Sequence, residues 1–375
     1  MAWRCSIRDH AWSSSVSSVV QSLAALDKTV TELSERVRAA AADRRPLRIR
    51  GSGSKDFYAC ALEGEPLDVR GCSGVVAYEP TELVVTARTG TPLAEIDRVL
   101  AGGGQMLACE PPRFGPEATL GGCVAAGFSG PRRAAAGSVR DFVLGVKMLD
   151  ARGEVLSFGG QVMKNVAGFD LSRLLTGSFG TLGVILEASL KVLPRPDEEA
   201  TLRFRMDEAG VIDTMNRWAV QPLPISATCY SDGTLAVRLS GSSLGVTAAR
   251  QKLGGEPVPD ADAFWESVRE QRLAAFQGKT LWRLSIKSTT PPLQLPGTQV
   301  IEWNGSLRWI ATEAAADAVF AAARKAGGHA TRFRGGTPGS PIMQLDPGVL
   351  ALHRKLKAAL DPQGIFGPRR LHADF

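Results

Sequence analysis

A glycine-rich segment at residues 50–55 has the composition of a phosphate-binding loop. Glycine lets the backbone approach an anion closely, and hydroxyl groups, successive N–H groups and basic side chains can hold phosphate oxygens. A short strand is predicted directly before it, at 47–50. A surface Gly-Ser turn has the same composition, so this segment alone does not decide between the two. Its residues are Arg50, Gly51, Ser52, Gly53, Ser54 and Lys55.

Two further segments strengthen this interpretation. Residues 118–130 carry small side chains at almost every position, so the backbone can pass against a flat or charged ligand. The N–H groups of a helix beginning there would attract a pyrophosphate, although tight packing of a helix on a sheet is a competing explanation. Residues 177–185 form a glycine-rich turn into an apolar strand. Three such segments together favour a shared ligand site more strongly than any one of them alone.

The residue spacing disfavours several other kinds of functional site. No GxGxxG stands between a strand and a helix, and the P-loop-like ending at 278–280 has Leu273 where that motif needs glycine. No serine lies in a GxSxG elbow. The four histidines form no HExxH and the six cysteines form no CxxC, which disfavours zinc sites, iron–sulfur ligation and a disulfide framework. We therefore predict no metal site and reduced, buried thiols.

The composition is that of an average soluble protein. The chain has 375 residues, of which 44% are hydrophobic and 22% charged, and its net charge is +6. No basic run interleaves with aromatic residues, so no nucleic-acid partner is expected. No apolar stretch reaches the ~18 residues of a membrane span, and the first residues lack the apolar centre of a signal peptide. These features predict a cytoplasmic protein without a direct membrane span.

Periodicity and turn signals divide the chain into three parts. The Pro-Arg-Pro sequence at 194–196 is the best linker, so we predict a first domain at 1–196, a second at 197–345, and a C-terminal helix and tail at 346–375. The second domain is expected to hold helices near 207–219, 260–276 and 311–326, and strands near 227–230, 235–239, 281–286 and 300–303. This alternation is typical of an α+β fold with an antiparallel sheet.

Longer motifs, spread over nearly the whole chain, resemble one family. They lie at 109–127, 129–133, 138–145, 158–170, 221–226, 307–309 and 327–333. With the glycine segments, they resemble the flavoprotein superfamily of vanillyl-alcohol oxidase and p-cresol methylhydroxylase (PCMH), and within it the GlcE-type family, the smaller FAD-binding subunits of glycolate oxidase complexes. The resemblance implies a two-part PCMH-type FAD-binding domain followed by an antiparallel-sheet cap, with the C-terminal segment returning to the FAD domain.

The resemblance also implies where FAD binds. Segment 50–55 would be the first pyrophosphate loop, and residues 119–122 would line the pyrophosphate and the flavin ring. Ser129 and Gly130 would lie nearby, and Val184 and Ile185 would meet the adenine end through their backbones. Besides the loop at 50–55, the expected cofactor-binding residues are Thr119, Leu120, Gly121, Gly122, Ser129, Gly130, Val184 and Ile185.

We expect the FAD to be non-covalent. Family members with covalent flavin carry His or Cys in the glycine segments, whereas here His is absent and Cys123 is a small residue within a predicted helix. The tail departs from the family pattern. Relatives commonly end in Asn-Pro-Gly-Arg, with the Asn near the flavin, but this chain has Gly367-Pro368-Arg369-Arg370.

The resemblance implies work inside a complex. A larger FAD-binding subunit would be the site of glycolate oxidation, and an iron–sulfur subunit would carry electrons onward. The partner subunits would hold the complex at the inner face of the membrane. The 2-hydroxy acid substrate would then be bound by that larger subunit, and this oxidoreductase subunit would be active only in the complex. Within this chain, His329, Arg332 and Arg334 are the candidates for a catalytic base and a carboxylate-binding cation. Alternation along a strand would place the two arginines on one face, which is also typical of a solvated basic edge strand.

Two other functions stay open from the sequence. One is a stand-alone FAD oxidase of D-lactate, another D-2-hydroxy acid or a sugar lactone. The other is a non-catalytic flavin-binding scaffold that keeps the fold without turnover. Flavin content separates the scaffold from both enzymes, and glycolate turnover by the isolated chain separates the stand-alone oxidase from the subunit.

Overall fold

The structure, a computed structural model, describes residues 12–160, 170–337, 340, 342–373 and 375. Residues 161–169 of the sequence motif at 158–170 lie outside this part of the chain. Within it, no helix is both long and apolar enough to cross a membrane.

The first half of the chain is built around a five-stranded antiparallel sheet with the order β3-β4-β8-β6-β7. A parallel pair, β1-β2, and a short antiparallel pair, β5-β9, accompany it. The bounds are β1 Leu47–Arg50, β2 Glu65–Asp68, β3 Val75–Glu79, β4 Val84–Arg88, β5 Gln105–Met106, β6 Val143–Leu149, β7 Val155–Gly159, β8 Val184–Lys191 and β9 Leu193–Pro194.

The second half forms an eight-stranded antiparallel sheet with the order β13-β10-β12-β11-β15-β16-β14-β17. Apolar side chains point to both faces of this sheet. One face packs against the first half of the chain, and the other packs against helices. The bounds are β10 Glu198–Arg205, β11 Ile225–Ser231, β12 Thr234–Gly241, β13 Glu256–Pro257, β14 Thr280–Ser285, β15 Thr298–Glu302, β16 Leu307–Thr312 and β17 His329–Arg334.

The helices connect and cover these sheets. They are α1 Trp12–Asp43, α2 Leu93–Gly102, α3 Leu120–Ala126, α4 Arg133–Ala136, α5 Val139–Phe142, α6 Leu171–Leu174, α7 Glu208–Ala219, α8 Ser243–Leu253, α9 Ala261–Arg269, α10 Ala316–Lys325 and α11 Pro347–Leu360. Short 3-10 turns lie at Pro80–Glu82, Ala274–Phe276 and Trp303–Gly305.

The C-terminal segment returns to the first half, as expected. After α11, Phe366 bridges to Leu47 in parallel, and the Leu47 N–H donates to the Ile365 carbonyl at 2.6 Å. Ile365 and Phe366 are fully buried in the core beneath β1 and β8. The tail is therefore packed against the strand that leads into the loop at 50–55.

Two local predictions in the second half were wrong. The helix expected at 260–276 ends at Arg269 and is followed by a 3-10 turn, because Gln271 adopts a left-handed conformation with φ of 54°. The helix expected at 311–326 begins only at Ala316, because the residues before it complete strand β16. Helix α8 and the full extent of β16 were not predicted. Helices α7, α8 and α10 cover the side of the sheet away from the first half, whereas α9 packs into the core that faces the first half.

Candidate cofactor site

The loop at 50–55 leaves the end of β1 and turns sharply at Gly53, whose φ is 77°. A side chain at Gly53 would be strained by this backbone and would approach the Arg50 guanidinium, with its Cβ 2.8 Å from Nε. Among the described residues, the N–H groups of Gly51, Ser52 and Gly53 donate to no protein acceptor. Successive free N–H groups in one turn form a concave site for an anion.

Basic side chains surround this turn. Lys55 is buried, and its Nζ donates to the Arg113 carbonyl at 3.2 Å and to Ser54 Oγ at 3.3 Å. Burial lowers the pKa of Lys55. Arg370 reaches back from the tail, where it donates to the Lys55 carbonyl at 3.1 Å and lies 3.4 Å from Asp56 Oδ1. Arg370 was not among the predicted site residues, because nothing local in the sequence shows that the tail ends beside this loop.

Helix α3 faces the loop with its first turn. Thr119 is its N-cap, and Thr119 Oγ1 accepts a hydrogen bond from the Gly122 N–H at 3.2 Å. Gly121 is required by packing, because a Cβ there would lie 2.7 Å from Thr89 Cβ. A Cβ on Gly122 would meet only Thr119 Oγ1, at 3.4 Å. Gly122 is therefore free of close protein neighbours on the side that faces the loop.

Two adjoining cavities of about 60 Å³ each lie between the loop and α3. The first cavity is bounded by residues 50–56 and Arg370, and the second by Val69, Thr89, Gly183 and Ile185. They share walls formed by Ile49, Gly51, Gly122, Ala125 and Phe179. A groove of this shape runs from an anion-binding turn to the start of β8.

The remaining predicted residues have different positions. Ile185 lines the second cavity, whereas Val184 points into the core beneath β1. Leu120 is buried in the main core of the first half. Ser129 Oγ accepts a hydrogen bond from the Val139 N–H at 2.9 Å, and the Gly130 carbonyl accepts one from Trp303 Nε1 at 3.0 Å. Ser129 and Gly130 thus lie where the first half contacts the second sheet.

An aromatic cluster fills the space between the loop and the second sheet. Tyr58 and Phe179 stack with centroids 4.9 Å apart and planes inclined by 20°. Phe128 lies 5.2 Å from Tyr58 and 5.0 Å from Phe333. The aromatic cluster comprises Phe57, Tyr58, Phe114, Phe128, Phe179 and Phe333. Phe179 belongs to both features, since it also walls the two cavities.

The predicted catalytic candidates do not converge. Arg332 pairs across the sheet with Trp282 and Arg334 with Leu281, which face opposite cores, because a register irregularity separates these positions. The expectation that the two arginines share a face was therefore wrong. Arg332 donates to the carbonyls of Thr337 and Ser340, and Arg334 stacks over Phe57 and Phe114. His329 is exposed at the start of β17.

A different pair of charged residues lies beside Ser129 and Gly130. Arg283 of β14 and Glu302 of β15 line a small cleft with Trp309 and Phe333. Burial raises the pKa of Glu302 to about 8, with the Trp309 indole N–H and Arg283 opposing that rise only in part. Sequence analysis missed both residues. Each residue is a single charge in an otherwise apolar strand, and this pattern could have identified both. Arg283 lies within 281–284, and Glu302 follows Val300 and Ile301.

Glu302 makes stability depend on pH. The folded protein keeps a proton on this carboxyl between its ordinary pKa of 4.5 and about 8, whereas the unfolded chain has lost it. Stability therefore falls as pH rises across this range, by up to about 1.4 kcal/mol per pH unit. Glu302→Gln should match the wild type most closely near pH 5 and become relatively more stable toward pH 8. Urea midpoints at four pH values would measure this, with exposed Glu313→Gln as the control. Parallel pH profiles for wild type and Glu302→Gln would contradict it.

A buried ion network joins the two halves beside the aromatic cluster. Glu110 lies 2.8 Å from Arg238 and 3.3 Å from Arg132. Burial would raise the pKa of Glu110, but the two arginines overcome this and the net pKa is lowered. Glu270 accepts the N–H groups of Arg113 and Phe114 at 2.8–3.2 Å. These contacts fix the loop at 110–114 against the second sheet.

In the described ranges, no group of three or more His, Cys, Asp or Glu side chains could hold a metal ion.

Comparison with known proteins concerns the region of the chain that contains this candidate site. A family profile described as "FAD binding domain" matches residues 22–159, which include the loop and α3. Among solved structures, alkyldihydroxyacetonephosphate synthase is similar with a TM-score of 0.62 over 90% of this chain and 74% of that one, at 16% identity. At that identity, the likeness concerns the fold alone.

Two curated relatives narrow the family. Glycolate oxidase subunit GlcD of Bacillus subtilis (strain 168) is 30% identical over 47% of this chain and 37% of its own length. Glycolate oxidase subunit GlcE of Escherichia coli (strain K12) is 50% identical over 91% of this chain and 97% of its own length. The match at this identity covers nearly the whole of both proteins. The chain therefore belongs to the GlcE family of FAD-linked oxidoreductase subunits.

Proposed function

We propose that this chain is the FAD-binding subunit of a glycolate oxidase complex, supporting the oxidation of glycolate to glyoxylate. The observation that carries the proposal is the anion-binding turn at 51–53, set against the open face of Gly122. The near full-length similarity to glycolate oxidase subunit GlcE supplies the reaction. The similarity to subunit GlcD supports a larger flavin subunit as partner, and we propose an iron–sulfur subunit as the second partner.

The residues around the two cavities fit the nucleotide half of FAD. The free N–H groups of the loop would hold the pyrophosphate, with Arg50, Lys55 and Arg370 supplying positive charge. The second cavity, which ends at Ile185, would take the adenosine part. Gly122 would lie against the cofactor, because a side chain there would fill both cavities. The domain boundaries proposed from the sequence, near 196 and 345, leave all these residues except Arg370 in the first domain.

The ring half of FAD meets a tighter environment. A flavin ring that continues from the two cavities toward the second sheet meets the stacked Tyr58 and Phe179, so this pair must separate to admit it. The bound ring would supply the hydride- or electron-accepting chemistry. The chain's own residues would hold the nucleotide, exclude water with the aromatic cluster, and keep the ring beside Ser129 and Gly130.

Non-covalent binding is supported by the state of Cys123. This cysteine is buried within α3, and burial raises its pKa to about 12. A neutral, inaccessible thiol is a poor nucleophile for attachment of a flavin. We therefore expect acid precipitation of the purified yellow protein to release its flavin into the supernatant. Flavin that stays in the pellet would contradict non-covalent binding, and a colourless protein would contradict FAD binding itself.

The subunit role is tested by turnover. The FAD-loaded chain alone should reduce an artificial electron acceptor with glycolate or D-lactate far more slowly than the complex purified through a tag on this chain. The physical reason is that the predicted base and cations of this chain, His329, Arg332 and Arg334, do not converge on one site. The proteins that purify with the tagged chain identify the partners, which we propose hold the complex at the cytoplasmic face of a membrane. Equal rates for chain and complex would favour a self-sufficient oxidase.

A further inference from the structure

Arg283 is a half-buried cation of the second sheet. Its strand, β14, lies near one end of the second sheet, and its side chain faces the first half of the molecule together with its cross-strand neighbours Trp309 and Thr331. Among the described residues, the Arg283 guanidinium has no hydrogen bond and no carboxylate within 4.0 Å. It lies over the Trp303 ring, with the guanidinium carbon 5.2 Å from the ring centroid. Burial lowers the pKa of Arg283, so the charge is kept at a cost.

Glu302 lies on the same face of the sheet. Val300 pairs with Trp309, which pairs with Arg283, and Glu302 follows Val300 by two residues along β15. Trp309 Nε1 donates to Glu302 Oε1 at 2.7 Å. Since the pKa of Glu302 is raised to about 8, the group is mostly protonated at pH 7 and can donate a hydrogen bond from its second oxygen.

The cleft between these residues is small and open. Its volume is about 20 Å³, and a site of ~10–15 Å³ holds one water molecule, so it has room for one or two polar atoms such as carboxylate oxygens and for no bulkier group. Phe128, Phe333 and Pro112 restrict its width, and Ser129 and Gly130 form the wall toward the first half. Arg269, which also lines the cleft, is already paired with Glu270 at 2.8 Å.

We propose that Arg283 and Glu302 form a binding site for the carboxylate group of a small organic acid. The proposal rests on the function above, because the acid would be a short 2-hydroxy acid. The guanidinium would bind both carboxylate oxygens, and the protonated Glu302 would donate to one of them. This places a carboxylate site in this chain, where the sequence had indicated that the larger partner subunit binds the substrate.

The site should release its ligand at high pH. Ionised Glu302 would repel a bound carboxylate and pair with Arg283 instead. The other titratable groups that act on this pair are Tyr58, Arg133, Glu110, Cys229 and His329. Burial and the nearby Arg283 lower the pKa of His329 below its usual 6.5, so this imidazole is already neutral where Glu302 titrates. Glu110 is held ionised by its own arginines, whereas Tyr58 and Cys229 stay neutral because burial raises their pKa values. Glu302 is therefore the group whose charge changes near pH 8.

The test is isothermal titration of the FAD-loaded full chain with acetate, which has no hydroxyl group to oxidise. Acetate and glycolate should bind at pH 6.5, and the bulkier 2-methylpropanoate should not. Arg283→Gln should weaken acetate binding about tenfold or more, because a charged hydrogen-bond donor is lost. Arg283→Lys, which keeps the charge, should bind with intermediate affinity, and exposed Arg203→Gln on the same sheet should match the wild type. Raising the pH to 9 should weaken wild-type binding by a similar factor.

Several outcomes would overturn the proposal. These are a wild-type chain that holds FAD but binds no acetate, an Arg283→Gln variant that binds acetate as tightly as the wild type, and equal affinity for acetate and 2-methylpropanoate. None of them affects the proposed function, which fails instead if the chain carries no FAD or purifies without partners. If Arg283→Gln does not fold, the wild-type ligand series and Arg283→Lys still decide the question.

Discussion

Gly122→Leu is expected to give a folded protein that carries no FAD. The added Cβ would meet only Thr119 Oγ1, at 3.4 Å, so the protein itself has room for it. The rest of the leucine would extend into the two cavities that Gly122 helps to wall. Overpacking a filled contact costs about 1–3 kcal/mol or more, which corresponds to a loss of affinity of roughly fivefold to 150-fold or more. Flavin absorbance per chain after desalting measures the effect.

Two other glycines separate a lost cofactor from a lost fold. Gly102→Leu, at the exposed end of α2, meets no atom within 4 Å and should keep both stability and flavin. Gly121→Ala should lower the melting temperature even without FAD, because its Cβ would lie 2.7 Å from Thr89 Cβ and 3.0 Å from the Thr89 carbonyl oxygen. Normal flavin content in Gly122→Leu would place the cofactor elsewhere. Glycine would thus be required at 121 for packing against Thr89, and at 122 to leave room for the ligand.

The parts of the site that the sequence could predict are those made by local composition. The turn at 50–55, the helix beginning after Thr119 and the strand beginning at Val184 all follow from glycines, a capping hydroxyl and an apolar run within a few residues. The α+β fold and its antiparallel second sheet were predictable in the same way, and the comparisons confirm them. Alternation along β8 also decides that Ile185, rather than Val184, lines a cavity.

The parts that could not be predicted depend on contacts between distant segments. Arg370 reaches the loop only because Phe366 pairs with Leu47 some three hundred residues earlier in the sequence. Arg283 and Glu302 come together through the register of β14, β16 and β15, which no local pattern encodes. Conversely, alternation suggested that Arg332 and Arg334 share a face, but the irregular register opposite Leu281 and Trp282 separates them. Register and chain return are tertiary properties, so charged residues could not be paired from spacing alone.

The C-terminal return depends on one buried ion pair. Lys357 Nζ donates to Asp361 Oδ2 at 2.6 Å, to the Phe366 carbonyl at 2.6 Å and to the Thr181 carbonyl at 2.7 Å. Asp361 in turn accepts the N–H groups of Ile365 and Phe366 at 3.0 and 2.8 Å. Both side chains are nearly inaccessible to solvent. This pair therefore ties α11 and the tail to the glycine-rich turn at 177–183, next to Phe179.

Lys357→Met is expected to be the most destabilising single substitution we propose. It leaves the Asp361 charge buried without its cation and two carbonyl groups without a donor, and breaking a buried pair in this way costs about 3–5 kcal/mol. Lys355→Met, on the exposed side of the same helix, should shift stability by less than about 0.5 kcal/mol. The urea midpoint and the FAD content of the two variants measure the difference. FAD content should also fall in Lys357→Met, because release of the tail withdraws Arg370 from the loop at 50–55. If both variants unfold at the same urea concentration, the tail is held by the burial of Ile365 and Phe366 and not by the ion pair.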